Sequence, residues 1–117
     1  MSIADLIFAA AIGGVLRFFI EYRWPPIGSS AFPRATLSVN VIGSFILGLL
    51  VHAPSDIRVM FGVGLCGALT TFSGVSLQIH RRLKAGAWSS AAFYVVVMLT
   101  AGLLAAMIGI DLSSRVF

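Results

Sequence analysis

Charge is what this chain has least of. Only 10% of its 117 residues are Asp, Glu, Lys or Arg, against about a quarter in an ordinary soluble domain. The acids number four, Asp5, Glu21, Asp56 and Asp111, and each falls at the end of an apolar run. That argues against a small proton-coupled multidrug exporter, which needs a carboxylate at membrane depth to exchange protons for substrate. One cysteine, Cys66, excludes an internal disulfide and reads as a small packing residue. The two histidines, His52 and His80, fall on opposite expected faces, so no metal-ligating cluster can be assembled. Ser73 has no histidine or aspartate at its own depth to activate it, which argues against an intramembrane enzyme.

What the chain does have is apolar length. It is 59% hydrophobic with a mean hydropathy of +1.03, and a bilayer span takes about 20 apolar residues. Four runs qualify, approximately 3–20, 35–51, 59–79 and 87–110. They predict a single all-α membrane domain over 1–117, with four transmembrane helices and no room for a soluble domain. The first run does not read as a cleavable signal peptide. It lacks a positive start, carries Asp5, and shows no small-residue cleavage pattern before Arg17.

The basic excess, eight Lys and Arg against four acids with a pI near 10.3, is topological rather than a nucleic-acid footprint. Four spans put the N-terminus, the second connection and the C-terminus on one face, with Arg58 and Arg115 among Asp5, Asp56 and Asp111. The other face takes Arg17, Arg23, Arg34, Arg81, Arg82 and Lys84 against Glu21. The positive-inside rule then predicts cytoplasmic first and third connections and both termini outside.

Within the spans, polar and small residues are patterned. Gly13-Gly14-Val15-Leu16-Arg17 offers a close-packing surface, with Arg17 placed to snorkel or to pair with Glu21. The Tyr22–Arg34 connection, with Trp24, Pro25, Pro26, Gly28 and Pro33, reads as an interfacial loop. Thr36, Asn40 and Ser44 lie four apart on one helical stripe. An embedded asparagine can bond a neighbouring helix or offer its amide N–H₂ to a permeating anion. The third run holds Gly67-Ala68-Leu69-Thr70-Thr71-Phe72-Ser73. In lipid every backbone polar group must find a partner, so glycine and two threonines at bilayer depth predict a deliberately broken helix. Apolar halves at 59–66 and 75–79 flank the break. Broken helices at the midplane are where membrane proteins hold ions. In the fourth run Trp88 reads as an interfacial anchor and Tyr94 as a packed aromatic.

These blocks resemble the CrcB/Fluc family of fluoride channels. The likeness covers nearly the whole chain and rests on the Gly13–Arg17, Thr36–Ser44 and Gly67–Ser73 blocks in that order and spacing. It implies a passive channel of the cell's inner (plasma) membrane that exports cytoplasmic fluoride. It further implies an antiparallel dimer with two narrow fluoride pathways and a central structural sodium ion. By position, backbone carbonyls of Gly67 and Thr70 would hold the sodium. Asn40 matches the family's pore asparagine and Phe72 its first pore phenylalanine, while Thr71, Ser73 and Tyr94 match residues near the pathway. Neutral donors suit the task, because conduction needs binding weak enough to release the ion.

The chain departs from the family pattern at three places. Val75 stands where a second pore phenylalanine is usual, Gln78 where a glutamate is, and Met98 and Gly102 where serines follow Tyr94. Together with the one-sided charge, these departures favour one half of an antiparallel heterodimer over a homodimer. A non-conducting assembly subunit is the remaining alternative.

Overall fold

The computed structural model describes residues 1–24 and 33–117. Pro25, Pro26 and Gly28 of the expected interfacial loop lie outside the described residues, and no strand occurs among those that are described. The first helix, α1 (Ile3–Arg23), starts at a reciprocal cap in which the Asp5 N–H donates to Ser2 Oγ and the Ser2 N–H donates to Asp5 Oδ2 at 2.9 Å. The pair satisfies two N–H groups that a helix start leaves open. Asp5 is therefore a capping residue at the end of the helix and not a buried carboxylate.

Helix α2 (Arg34–Leu49) follows Pro33, which cannot donate a helical hydrogen bond and so stands naturally at a boundary. At 16 residues it is about 24 Å long, short of the roughly 30 Å hydrocarbon core. Among the described residues three stretches are long and apolar enough to cross a membrane: Ile3–Arg23, Ser55–Lys84 and Trp88–Val116. Helix α2 is the fourth, shorter member and packs most extensively against the last helix.

The third rod is not continuous. It comprises α3 (Ser55–Arg58), a π-helical segment (Val59–Cys66), α4 (Gly67–Leu69) and, after two extended residues, α5 (Phe72–Lys84). The wide π turn includes Gly62 and Gly64, both buried, and π turns inside α-helices recur at functional sites. Sequence periodicity did not anticipate the π turn. The rod's second half also starts at Phe72, three residues before the expected 75. The last helix, α6 (Trp88–Val116), runs 29 residues and outlasts the expected 87–110 span.

Small residues carry the packing. The buried set includes Ala9, Ala35, Val39, Cys66, Leu69, Ala91 and Ala105, as membrane helices in close contact require. Cys66 is fully buried, in line with its reading as a packing residue. Helices α2 and α6 touch backbone to backbone, where a side chain at Gly109 would strike the Phe45 carbonyl and one at Gly48 the Ala106 carbonyl. Helix α1 lies on the π segment, with Gly13 against the Leu65 carbonyl.

The chain runs up and down so that like ends meet. At one end the Met1 amino group lies 3.9 Å from Asp56, the His52 N–H donates to Ser113 Oγ at 3.0 Å, and Arg115 pairs with Asp111 at 3.3 Å. At the other end Arg17, Glu21 and Arg81 line one cavity. The two charge groups separated in the sequence are thus separated in space.

Candidate functional site

The break is built from two threonines in extended backbone, Thr70 at φ −79°, ψ 158° and Thr71 at φ −145°, ψ 125°. A β-branched side chain is at home there and weakens a helix. Each threonine then finishes one helix end. Thr70 sends both its N–H and its Oγ1–H to the Cys66 carbonyl at 2.9 Å. Thr71 Oγ1 accepts the Gly74 N–H at 3.0 Å and lies 3.1 Å from Ser73 Oγ, the N-cap geometry that starts α5.

Asn40 clamps the break from α2. Its Nδ2 donates to the Thr71 carbonyl at 3.0 Å, and its Oδ1 accepts the Thr71 N–H at 2.9 Å. The side chain thereby supplies, as a strand partner would, both a donor and an acceptor to the Thr71 backbone. Both readings of this asparagine meet here: it bonds another helix, and it does so at the break. Its Nδ2 also lies 3.8 Å from Met98 Sδ. Gly43, one turn along α2, must lack a side chain, because a Cβ there would collide with Thr70 Cγ2.

The clamp has a consequence for the carbonyls. In an unbroken helix the Thr71 N–H would bond the Gly67 carbonyl, and the Gly74 N–H the Thr70 carbonyl. Those donors are committed to Asn40 and to Thr71 Oγ1 instead. The carbonyls of Gly67 and Thr70 lose their usual helical donors. They are the two that the family resemblance implies for a sodium ion, and unwound carbonyls suit an alkali cation. Arg17, expected to snorkel or to pair with Glu21, instead turns inward, with Nη1 3.5 Å from the Thr70 carbonyl.

Two cavities flank Thr71. The first, about 430 Å³, is lined by Arg17, Glu21, Thr36, Thr71, Ser73, Gln78 and Arg81, among others. The second, about 480 Å³, is an apolar groove on the outside of the chain, with Asn40, Ser44, Thr70, Thr71, Phe72, Val75 and Met98 in its wall. Phe72 is 83% exposed there. The α2 stripe runs from one to the other: Thr36 faces the first cavity, Asn40 holds the break, and Ser44 faces the groove.

Of the expected pathway residues, Asn40, Thr71 and Phe72 come together in the groove wall, and Ser73 lies on the first cavity. Tyr94 stands apart, fully buried in α6, with the Arg82 guanidinium 5.3 Å from its ring centre. Sequence reasoning assigned Arg82 only to a basic cluster, yet it is 1% exposed and belongs to the interior. Its placement one turn after Gln78 was the available signal. Among the described residues no group of three or more His, Cys, Asp or Glu comes together.

A family model described as "CrcB-like protein, Camphor Resistance (CrcB)" matches residues 5–110. The chain belongs to the CrcB family. Among its relatives is the protein named fluoride-specific ion channel FluC of Phocaeicola vulgatus, 32% identical over 118 residues, covering 96% of this chain and 98% of that one. The protein of the same name from Paramagnetospirillum magneticum is 36% identical over 118 residues, covering 93% and 92%. Another, from Shewanella sp. (strain W3-18-1), is 40% identical over 96 residues, covering 77% of each. Membership in the CrcB family accords with the broken third rod and with the three blocks that carry the likeness.

Proposed function

We propose that this chain is a fluoride-selective passive channel subunit that lets cytoplasmic fluoride leave the cell. It is a membrane channel rather than an enzyme. The observation that carries the reading is the clamped break: a polar peptide at membrane depth, held by Asn40, with a hydroxyl-lined cavity on one side and a groove bearing Phe72 on the other. Fluoride is small and tightly hydrated, so a pore must replace its water with converging donors. The ring edge of Phe72 adds a positive rim to those donors. Hydrogen fluoride enters cells as a neutral weak acid and ionises inside, so a passive route for the anion relieves the load without ATP.

The groove is completed by a second subunit inserted the other way up. Its support is the presence of Asn40, Thr70 and Thr71 in the groove wall, polar groups that lipid would serve poorly. A different subunit is favoured over a second copy, because Val75 and Met98 occupy the groove wall where the family carries phenylalanine and serine. The residues assigned to the pathway are Asn40, Thr71, Phe72 and Ser73, which line the two cavities, and Tyr94, which rests on the family resemblance alone. A sodium ion would sit at the centre on the Gly67 and Thr70 carbonyls of this chain and their counterparts across the dimer. There it would share the Thr70 oxygen with Arg17. The basic end, with Arg17 and Arg81, faces the cytoplasm of a plasma-membrane protein with both termini outside.

The test is fluoride efflux from liposomes carrying this chain alone and together with a second family member from the same genome. Electrogenic efflux of fluoride but not chloride is expected from the pair, with little from this chain alone. Full flux from this chain alone would remove the obligate-partner reading. No fluoride flux in either preparation, or transport of cationic dyes instead, would overturn the channel reading.

A further inference from the structure

The side chain of Asn40 has two amide hydrogens, and each has a partner. Thr71 fixes which way the amide faces, because its N–H can only donate and its carbonyl can only accept. The amide oxygen must therefore lie on the N–H, at 2.9 Å, and the nitrogen on the carbonyl, at 3.0 Å. That leaves the second hydrogen to Met98 Sδ of α6, 3.8 Å from Nδ2. No other partner of this side chain occurs among the described residues. Both residues are half-buried, and both stand in the wall of the apolar groove.

The two bonds are unequal. A peptide carbonyl is a good acceptor, whereas a thioether is a weak one. Methionine is unbranched, with three rotatable bonds, so its sulfur can leave the amide without any movement of α6. A donor at membrane depth needs a partner, and this one has a partner that holds it loosely. The family pattern carries serine here. A hydroxyl can accept from Asn40 and can also donate to an ion, but a thioether only accepts. Met98 therefore competes with an anion for Asn40 and gives the anion no donor in return.

We propose that Met98 is a displaceable partner of Asn40 that sets the affinity of the groove for fluoride. The thioether holds the second amide hydrogen while the groove is empty, and the anion takes that hydrogen as the sulfur swings aside. The proposal rests on the channel reading above and deepens it. A weak competitor keeps the donor satisfied between ions, and it speeds release by returning to the amide. Conduction requires such release.

The alternative is that Met98 only fills space beside α2. Met98→Leu separates the two, since it nearly conserves volume and removes the sulfur. Packing alone predicts an unchanged half-saturating fluoride concentration. Displacement predicts a fall of about threefold or more, because the ion no longer competes with an acceptor for the N–H. Met98→Ile is expected to behave alike, and Val95, Val96 and Val97 show that α6 accepts branched side chains there. Half-saturation is read in two ways. One is fluoride efflux from the liposome preparation in which the wild type conducts. The other is the rise in melting temperature with added fluoride, with chloride as the control. An unchanged or raised half-saturating concentration in either variant would overturn the displacement and leave the channel intact. Fluoride-dependent melting of the wild type without efflux would overturn conduction alone, and the variants' melting curves then decide the displacement. A wild type with neither response would overturn the channel reading and the displacement together.

Discussion

The two cavities beside Thr71 have nearly the same size and opposite chemistry. The first is charged and hydroxyl-lined, and three separate stretches of one chain wall it: the end of α1, the start of α2 and the length of α5. The groove is apolar and open, with Phe72 standing out from its wall. The difference teaches where one chain suffices and where it does not. A wide, wet approach for an ion needs only dispersed polar groups, which a single bundle can arrange. A narrow, dry passage needs walls on every side, and the groove is open, so a passage there would take the second wall proposed above.

The largest effect is expected where the cavities join. Asn40→Leu leaves the Thr71 N–H and carbonyl without their partners. Each unsatisfied backbone group costs about 1–3 kcal/mol, so a loss of roughly 2 to 6 kcal/mol is expected in a thermal or denaturant melt. Fluoride efflux should fall by about a hundredfold or more, because a shift of the break by a fraction of its geometry disrupts both cavities. A melt and an efflux rate within error of wild type would refute the clamp.

A variant confined to the groove sharpens the contrast. Phe72→Ile changes an exposed ring, so stability of the isolated subunit should move by no more than about 0.5 kcal/mol. Efflux is expected to fall about tenfold, the equivalent of about 1.4 kcal/mol in the barrier. An unchanged rate would remove Phe72 from the pathway and make the groove a lipid-facing or packing surface. The smallest effect concerns the proposed sodium site. Exchanging sodium for N-methylglucamine would remove the cation proposed for the Gly67 and Thr70 carbonyls, and a melting temperature lower by about 5 °C is expected. Equal melting curves in the two salts would dismiss the sodium ion.

Much of this was legible before any coordinates. The position of the break was, because Thr70 and Thr71 put two β-branched, hydroxyl-bearing residues after a glycine at bilayer depth. Asn40 was, because an amide on a stripe with Thr36 and Ser44 has to meet something polar. The sorting of Arg17 and Arg81 away from Asp56 and Asp111 was, because alternation of spans dictates which loops share a face. Three features were not. The π turn over Val59–Cys66 brings Gly64 against α1 and Gly62 against Leu47 and Leu50, and an apolar run carries no mark of it. The inward turn of Arg17 depends on a carbonyl freed 53 positions away. The burial of Arg82 depends on Ser90 and Tyr94 arriving from another helix.

Composition and order alone therefore settled that the chain lives in a bilayer, as helices alternating in direction, one of them interrupted at Thr70 and Thr71. Hydrocarbon allows few solutions to the backbone's demand for hydrogen bonds, so the residues that deviate from apolar announce themselves. Only the tertiary structure decided which donors meet which acceptors. It turned Asn40 onto Thr71, released the Gly67 and Thr70 carbonyls, and brought the sulfur of Met98 to the amide of Asn40. Those outcomes depend on distances between helices, and spacing along a chain does not contain them.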